Sequence, residues 1–129
     1  MTTRAQQPDR RLSKRQRLRR QRDFERTFAQ QRRFVGEFMI LWHYEGDDVA
    51  QRLGVVASRR IGPAVIRNRA KRRLREVFRL NRRNFQGQGD VVLVARPGIV
   101  KAAWNDLVAE FKELATRAGL LAKEFVTDT

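Results

Sequence analysis

Arg67-Asn68-Arg69-Ala70-Lys71-Arg72-Arg73-Leu74-Arg75-Glu76-Val77-Phe78 is the stretch from which the rest of the chain is best read. At about 100° per residue, Ile66, Ala70, Leu74, Val77 and Phe78 fall into one apolar stripe. Asn68, Lys71, Arg72, Arg75 and Arg79 lie on roughly the opposite side. A helix of this kind buries one face in a core and offers the other to a dense array of phosphates. The competing explanation is a solvated basic face. Surface helices, however, usually mix acid and base in i,i+4 pairs, and Glu76 is the single acid in this run. The pattern favours a nucleic acid.

The whole chain shares the bias. Its 129 residues fit one domain and carry 29 Lys+Arg against 14 Asp+Glu, a net charge of +15. Such a field attracts polyanions and resists self-association. Arg far outnumbers Lys, and guanidinium groups form bidentate phosphate contacts and stack on bases. With no Cys, disulfides and thiolate metal sites are excluded, and His43 as the only histidine excludes a multi-His site. No apolar run approaches the roughly 20 residues of a membrane span. The Arg-rich N-terminus lacks an apolar signal core. It imitates an organellar transit peptide as readily as it suits a nucleic-acid-binding arm, and the chain as a whole reads as cytoplasmic.

Working outward from the basic helix, Gly62-Pro63 opens it, with Pro suited to a first helical turn. Residues 53–58 and 38–44 read as strands, paired antiparallel across the Glu45-Gly46-Asp47-Asp48 turn. A short first helix is expected over residues 23–30, and residues 1–16 form a basic disordered arm. On the C-terminal side, the Gln86-Gly87-Gln88-Gly89 loop leads into a strand, not the helix that a phosphate-cradling loop requires. Residues 90–96 make a nearly continuous apolar run, hence a buried strand. Trp104, Leu107, Val108, Phe111 and Leu114 give a third helix to about residue 118, with Gly119 as its stop. The domain thus spans 17–118, and 119–129 form a tail.

No hydrolytic constellation emerges. Asp47 and Asp48 sit in a turn; Asp106, Glu110 and Glu113 are most simply the solvent face of the third helix. His43 has no nucleophile partner suggested by spacing. Phe24 and Phe28 share a helical face and serve either as core or as a stacking platform for unpaired bases. On the strand over 38–44, Met39, Leu41 and His43 point one way, and Phe38, Ile40, Trp42 and Tyr44 the other. One side packs on helices, and the other is free to line a cleft with the Phe pair.

The run from Ala57-Ser58-Arg59-Arg60-Ile61-Gly62-Pro63 through Arg67-Asn68-Arg69 to Lys71-Arg72-Arg73-Leu74-Arg75-Glu76 closely resembles the signature of the bacterial ribonuclease P protein subunits. Arg17-Leu18, Asp23-Phe24 and Phe28 upstream, and the run over 90–96 downstream, resemble that family's flanking patterns in the same order. The resemblance implies a two-layer α/β (α+β) sandwich, α-β-β-β-α-β-α, with a small mixed sheet and a left-handed βαβ crossover. It therefore implies a further short strand between residues 31 and 37. The function it implies is tRNA processing within an endoribonuclease: a ribonucleoprotein in which a catalytic RNA, with Mg²⁺ held mainly by RNA and substrate, hydrolyses the phosphodiester at the 5′ end of mature tRNA.

No organic cofactor, further protein partner or membrane is implied, and this chain supplies no catalytic residue. Its partners are the catalytic RNA, faced by Arg59, Arg60, Arg67, Asn68, Arg69, Lys71, Arg72 and Arg75, and the precursor tRNA. Phe24, Phe28, Leu41 and Arg96 would line a cleft for the 5′ leader, with Leu41 standing at a position often aromatic in the family. Arg73 replaces a commonly apolar residue, its stem covering the core and its head reaching solvent. A ribosomal or other structural RNA-binding protein is the alternative that composition alone allows. A free-standing nuclease or DNA-binding protein lacks supporting motifs.

Overall fold

The computed structural model describes residues 16–46, 51–86 and 88–122. In chain order the elements are α1 (Gln21–Ala29), β1 (Arg33–Val35), β2 (Met39–His43), β3 (Leu53–Val56), α2 (Ala64–Asn81), β4 (Val91–Ala95) and α3 (Trp104–Arg117). Three single turns of 3₁₀ helix, Arg59–Ile61, Arg82–Asn84 and Pro97–Lys101, join them. The expected arm lies almost wholly outside the described residues, as does the tail beyond residue 122.

β4 is the most apolar strand and takes a central place, with sheet order β1-β2-β4-β3. It pairs antiparallel with β2, Leu41 opposite Leu93, and parallel with β3, Val55 opposite Leu93. Strands over residues 39–43 and 53–56 are therefore not the hairpin that their short connection suggests. Burying Val91, Val92 and Leu93 completely requires β4 to have neighbours on both edges and cover on both faces, so it separates the two. The hairpin partner of β2 is instead β1, the short strand implied by the family resemblance, with Phe34 opposite Leu41. The parallel β3–β4 pair is connected by α2 in a βαβ unit.

Gly62, at φ +148°, makes the turn into α2, and Pro63 stands in extended backbone just before its first residue. The predicted stripe is the buried one: Ala70, Leu74, Val77 and Phe78 enter the core with Asn81. On the same sheet face α3 contributes Leu107, Phe111 and Leu114. Phe78 meets Phe111 and Phe85 edge-on, ring centroids 6.4 and 5.2 Å apart. Each fully buried side chain of this size contributes about 1.5–3 kcal/mol. Gly119, at φ +83°, ends α3 as expected. The tail, however, does not begin there. Leu120 and Leu121 are buried in the core, and the Leu120 carbonyl accepts a hydrogen bond from the Gln86 backbone N–H at 2.8 Å.

Two charged residues do more than solvation. Glu110 was expected on the solvent face of α3; its carboxylate instead accepts backbone N–H bonds from Glu37, Phe38 (2.8 Å) and Met39 (3.1 Å), capping the β1–β2 turn. Gly36 leaves room for that carboxylate, which a Cβ there would strike. The Arg73 head does not extend into solvent. It donates to the Ile99 and Ala102 carbonyls at 2.8 and 2.6 Å, tying α2 to the turn before α3.

His43 is buried at the end of β2, its Nε2 2.8 Å from the Gln88 carbonyl, which fixes the proton on Nε2; among the described residues its Nδ1 has no partner. Burial pushes its pKa below the ordinary histidine value and the Arg32 cation adds to this, against the Gln88 bond and the carboxylates of Glu45 and Asp90. The folded value therefore lies below the unfolded one, so the unfolded chain takes up the proton first and stability falls as pH drops through the unfolded value. His43→Gln retains an amide donor for Gln88. Urea denaturation should show the parent losing more stability than His43→Gln between about pH 7 and pH 5. Parallel curves would contradict a neutral, buried imidazole.

Candidate RNA interface

The α2 surface is built by helical geometry alone. Asn68, Arg69 and Arg72 are exposed along it, Lys71 and Arg75 are partly covered, and Arg59 and Arg60 stand exposed in the preceding 3₁₀ turn. No side chain caps the start of α2, so its first N–H groups add to the positive potential there. Arg79 is the one cation on this helix that meets a carboxylate among the described residues, at 2.6 Å from Glu76. Hydrogen bonds from Arg79 hold the Glu76 carboxyl below its usual range, and the same bonds raise the Arg79 pKa. Within α2, the cations with no carboxylate partner among the described residues therefore end at Arg75.

Two of these positions carry structural duties as well. Arg67 is half-buried and donates to the Gly62 carbonyl at 3.1 Å, bracing the turn into the helix. Arg75 leans away from the exposed ridge into a cleft of about 200 Å³ lined by Arg17, Leu18, Arg19, Phe24, Leu53, Val55 and Arg75 itself. Burial, and then the nearby Arg17 cation, push its pKa below the usual arginine value. Among the described residues no carboxylate lines this cleft, so an anion entering it would relieve the repulsion. The Phe24 side and the α2 side thus meet at the β3 edge.

The second surface lies on the other face of the sheet, crossed at one end by α1. Phe28 meets Trp42 edge-on, centroids 4.9 Å apart, and Phe24 lies 6.5 Å from Phe28. All three rings are only partly buried. Arg33, paired with Trp42 across β1–β2, places its guanidinium 5.8 Å from the indole centroid. The next row of the same face runs Val35, Ile40, Val94 and Val56 across all four strands. Val35 is 44% exposed and the other three are partly exposed, so the row forms an open apolar floor. Arg96, exposed just after β4, donates to the Gly36 carbonyl at 2.6 Å and stands at the rim.

Leu41 does not belong to this surface. It is 0% exposed and packs in the core beneath α2 and α3, since Met39, Leu41 and His43 point away from α1. The strand residues facing the Phe pair are Ile40 and Trp42. An aromatic ring therefore does occupy the cleft, one residue along from where the family resemblance suggested. Sequence alternation had placed Trp42 opposite Leu41; which of the two faces α1 would cover was not legible.

Also missed was the polar cluster under α1. Asp90, with a fully buried carboxylate, accepts from Arg52 Nε (3.0 Å) and Nη2 (2.8 Å) and from Arg26 Nη2 (3.2 Å). Arg52 Nη1 also reaches Asp23 at 3.4 Å. Partners up to 64 residues apart leave no local signal. Among the described residues no cluster of three or more His, Cys, Asp or Glu is placed to hold a metal ion.

Gly54 lies directly under Phe24: a Cβ at this position would come within 2.5 Å of the ring. Gly54→Ala should therefore displace Phe24 and cost about 1–3 kcal/mol, measured by urea denaturation. The cost should vanish in a Phe24→Ala background. Equal costs in both backgrounds would show that the ring does not rest on Gly54.

The family described as Ribonuclease P matches residues 12–119. The ribonuclease P protein component of Syntrophomonas wolfei is 35% identical over 112 residues, covering 87% of this chain and 94% of that protein. That of Coxiella burnetii is 34% identical over 102 residues, covering 78% and 84%. Among solved structures, the RNase P protein from Thermotoga maritima superposes with a TM-score of 0.70 at 28% identity, covering 78% of this chain and 96% of that one. The Staphylococcus aureus RNase P protein gives 0.74 at 20% identity over 82% and 97%, a likeness of fold. The chain belongs to the ribonuclease P protein family.

Proposed function

We propose that this chain binds the catalytic RNA of ribonuclease P through α2 and the turn before it, and holds the 5′ leader of precursor tRNA in the cleft between α1 and the sheet. Family membership makes it a protein component acting in tRNA 5′ processing, and decides against the ribosomal alternative. The observation that carries the finer reading is the separation of two RNA-suited surfaces. One is a helix ridge of cations with no carboxylate partner among the described residues; the other is an apolar floor with Phe24, Phe28 and Trp42 as its wall. Phosphate contacts on the first are sequence-independent and salt-sensitive. Stacking on the second accepts any unpaired base.

On this reading phosphodiester hydrolysis belongs to the RNA, with Mg²⁺ polarising the reacting oxygens. Mg²⁺ takes hard oxygen ligands, whereas the buried acids Asp23 and Asp90 are both bound by arginine, so no residue of this chain is assigned to hold it. The contribution of the protein is to neutralise phosphates crowded around the RNA site and to fix the substrate. Arg69 and Arg72, exposed and without a carboxylate partner among the described residues, are best placed for the first role. Arg17, Arg19 and Arg75 line the passage between the two surfaces.

Reconstitution tests this. With a bacterial ribonuclease P RNA, adding the chain should lower the Mg²⁺ concentration needed to cleave precursor tRNA. Arg69→Ala/Arg72→Ala should weaken RNA binding and flatten its salt dependence by roughly 0.7–0.9 per lost contact. Cleavage by the purified chain without RNA, or an unchanged Mg²⁺ requirement, would refute the assignment.

A further inference from the structure

α1 presents a contradiction that its position in the cleft makes useful. An amphipathic helix usually attaches through buried apolar side chains. In α1 the buried residues are Asp23 and Thr27, while Phe24 and Phe28 remain half-open. Something other than apolar burial must hold the helix down.

The ion cluster does so. Asp90, just before β4, is 0% exposed. Arg52, just before β3, directs Nε and Nη2 at Asp90 and Nη1 at Asp23 of α1, so all three nitrogens of its guanidinium face carboxylates. Arg26 of α1 reaches the same Asp90 oxygen and lies 4.2 Å over the Tyr44 ring. Hydrogen bonding to Asp90 raises the Arg52 pKa, in keeping with a fixed pairing. The geometry of a planar fork spanning two carboxylates specifies the height and rotation of a helix more sharply than apolar contact does.

We propose that Arg52 and Asp90 are positioning residues for leader binding: they clamp α1 against the sheet so that Phe28 meets Trp42 while both Phe rings stay open to unpaired bases. This rests on the reading that the leader stacks in this cleft. Arg52 acts through the rings: each of its three guanidinium nitrogens already donates to a carboxylate, which leaves two of its five N–H groups uncommitted.

The test uses holoenzyme reconstituted with Trp104→Phe protein, in which Trp42 is the sole indole of the two. Arg52→Ala should red-shift Trp42 emission and weaken precursor binding about ten-fold, as loss of one stacked base would. Mature tRNA affinity should not change. Arg52→Lys, which keeps the charge but not the fork, should fall between. The double variant Arg52→Ala/Phe28→Ala should bind precursor no more weakly than Phe28→Ala alone. Unshifted Trp42 emission overturns the proposal, as do additive losses with a flatter salt dependence, which would mark Arg52 as a direct phosphate contact. Should circular dichroism show Arg52→Ala unfolded, Arg52→Lys and Asp90→Asn carry the same readouts. If Phe28→Ala leaves leader discrimination intact, the leader reading fails instead, and Trp42 emission still decides whether the clamp positions α1.

Discussion

Complete burial of Val91, Val92 and Leu93, on both faces of β4, is the constraint from which the architecture follows. Val91 and Leu93 point into the core under α2 and α3, and Val92 points the other way, yet all three are 0% exposed. A strand so apolar needs partners on both edges, and β2 and β3 supply them. It also needs cover on its second face, and α1 supplies that over one end only. The uncovered row, Val35 to Val56, is what remains as a cleft floor. The candidate substrate surface is thus the unfinished half of the core.

Charge is distributed by the same logic. Acids are a minority, and several are already partnered within the chain: Asp23 and Asp90 with arginines, Glu76 with Arg79, Glu110 with the backbone of the β1–β2 turn. With these acids partnered elsewhere, Arg69 and Arg72 are left without a neutralising neighbour among the described residues. The outward side of α2 thus carries unpartnered cations within a chain whose net charge is +15. Arginine also has structural duties, Arg67 at the Gly62 turn and Arg73 at the turn before α3. A count of cations alone overstates the RNA-facing set.

Local periodicity made α2 and α3 legible, because an apolar stripe at helical spacing has one reading once its flanks are polar. The strands over residues 39–43 and 91–95 were legible for the same reason, as alternation and as a continuous apolar run. Three-residue β1 carries too little pattern to be seen in Arg33-Phe34-Val35 and was reached only through the family resemblance. Pairing was not legible: nothing in residues 53–56 says that β4, some forty residues on, and not β2, lies beside them. Leu41 was misplaced for a related reason. Alternation sorted β2 into two faces but could not say which face α1 would cross, since α1 is held by Arg52, Asp90 and Arg26, contacts between distant parts of the chain.

On the proposed function, the α1–sheet cleft receives unpaired leader bases on Phe28 and Trp42. Titrating Trp104→Phe holoenzyme with precursor tRNAs of increasing leader length, and following Trp42 emission, tests it most directly. Stacking in the cleft should give quenching that is absent with mature tRNA, appears once the leader spans a few nucleotides and then saturates. Equal quenching by mature tRNA, or none at any leader length, would contradict it.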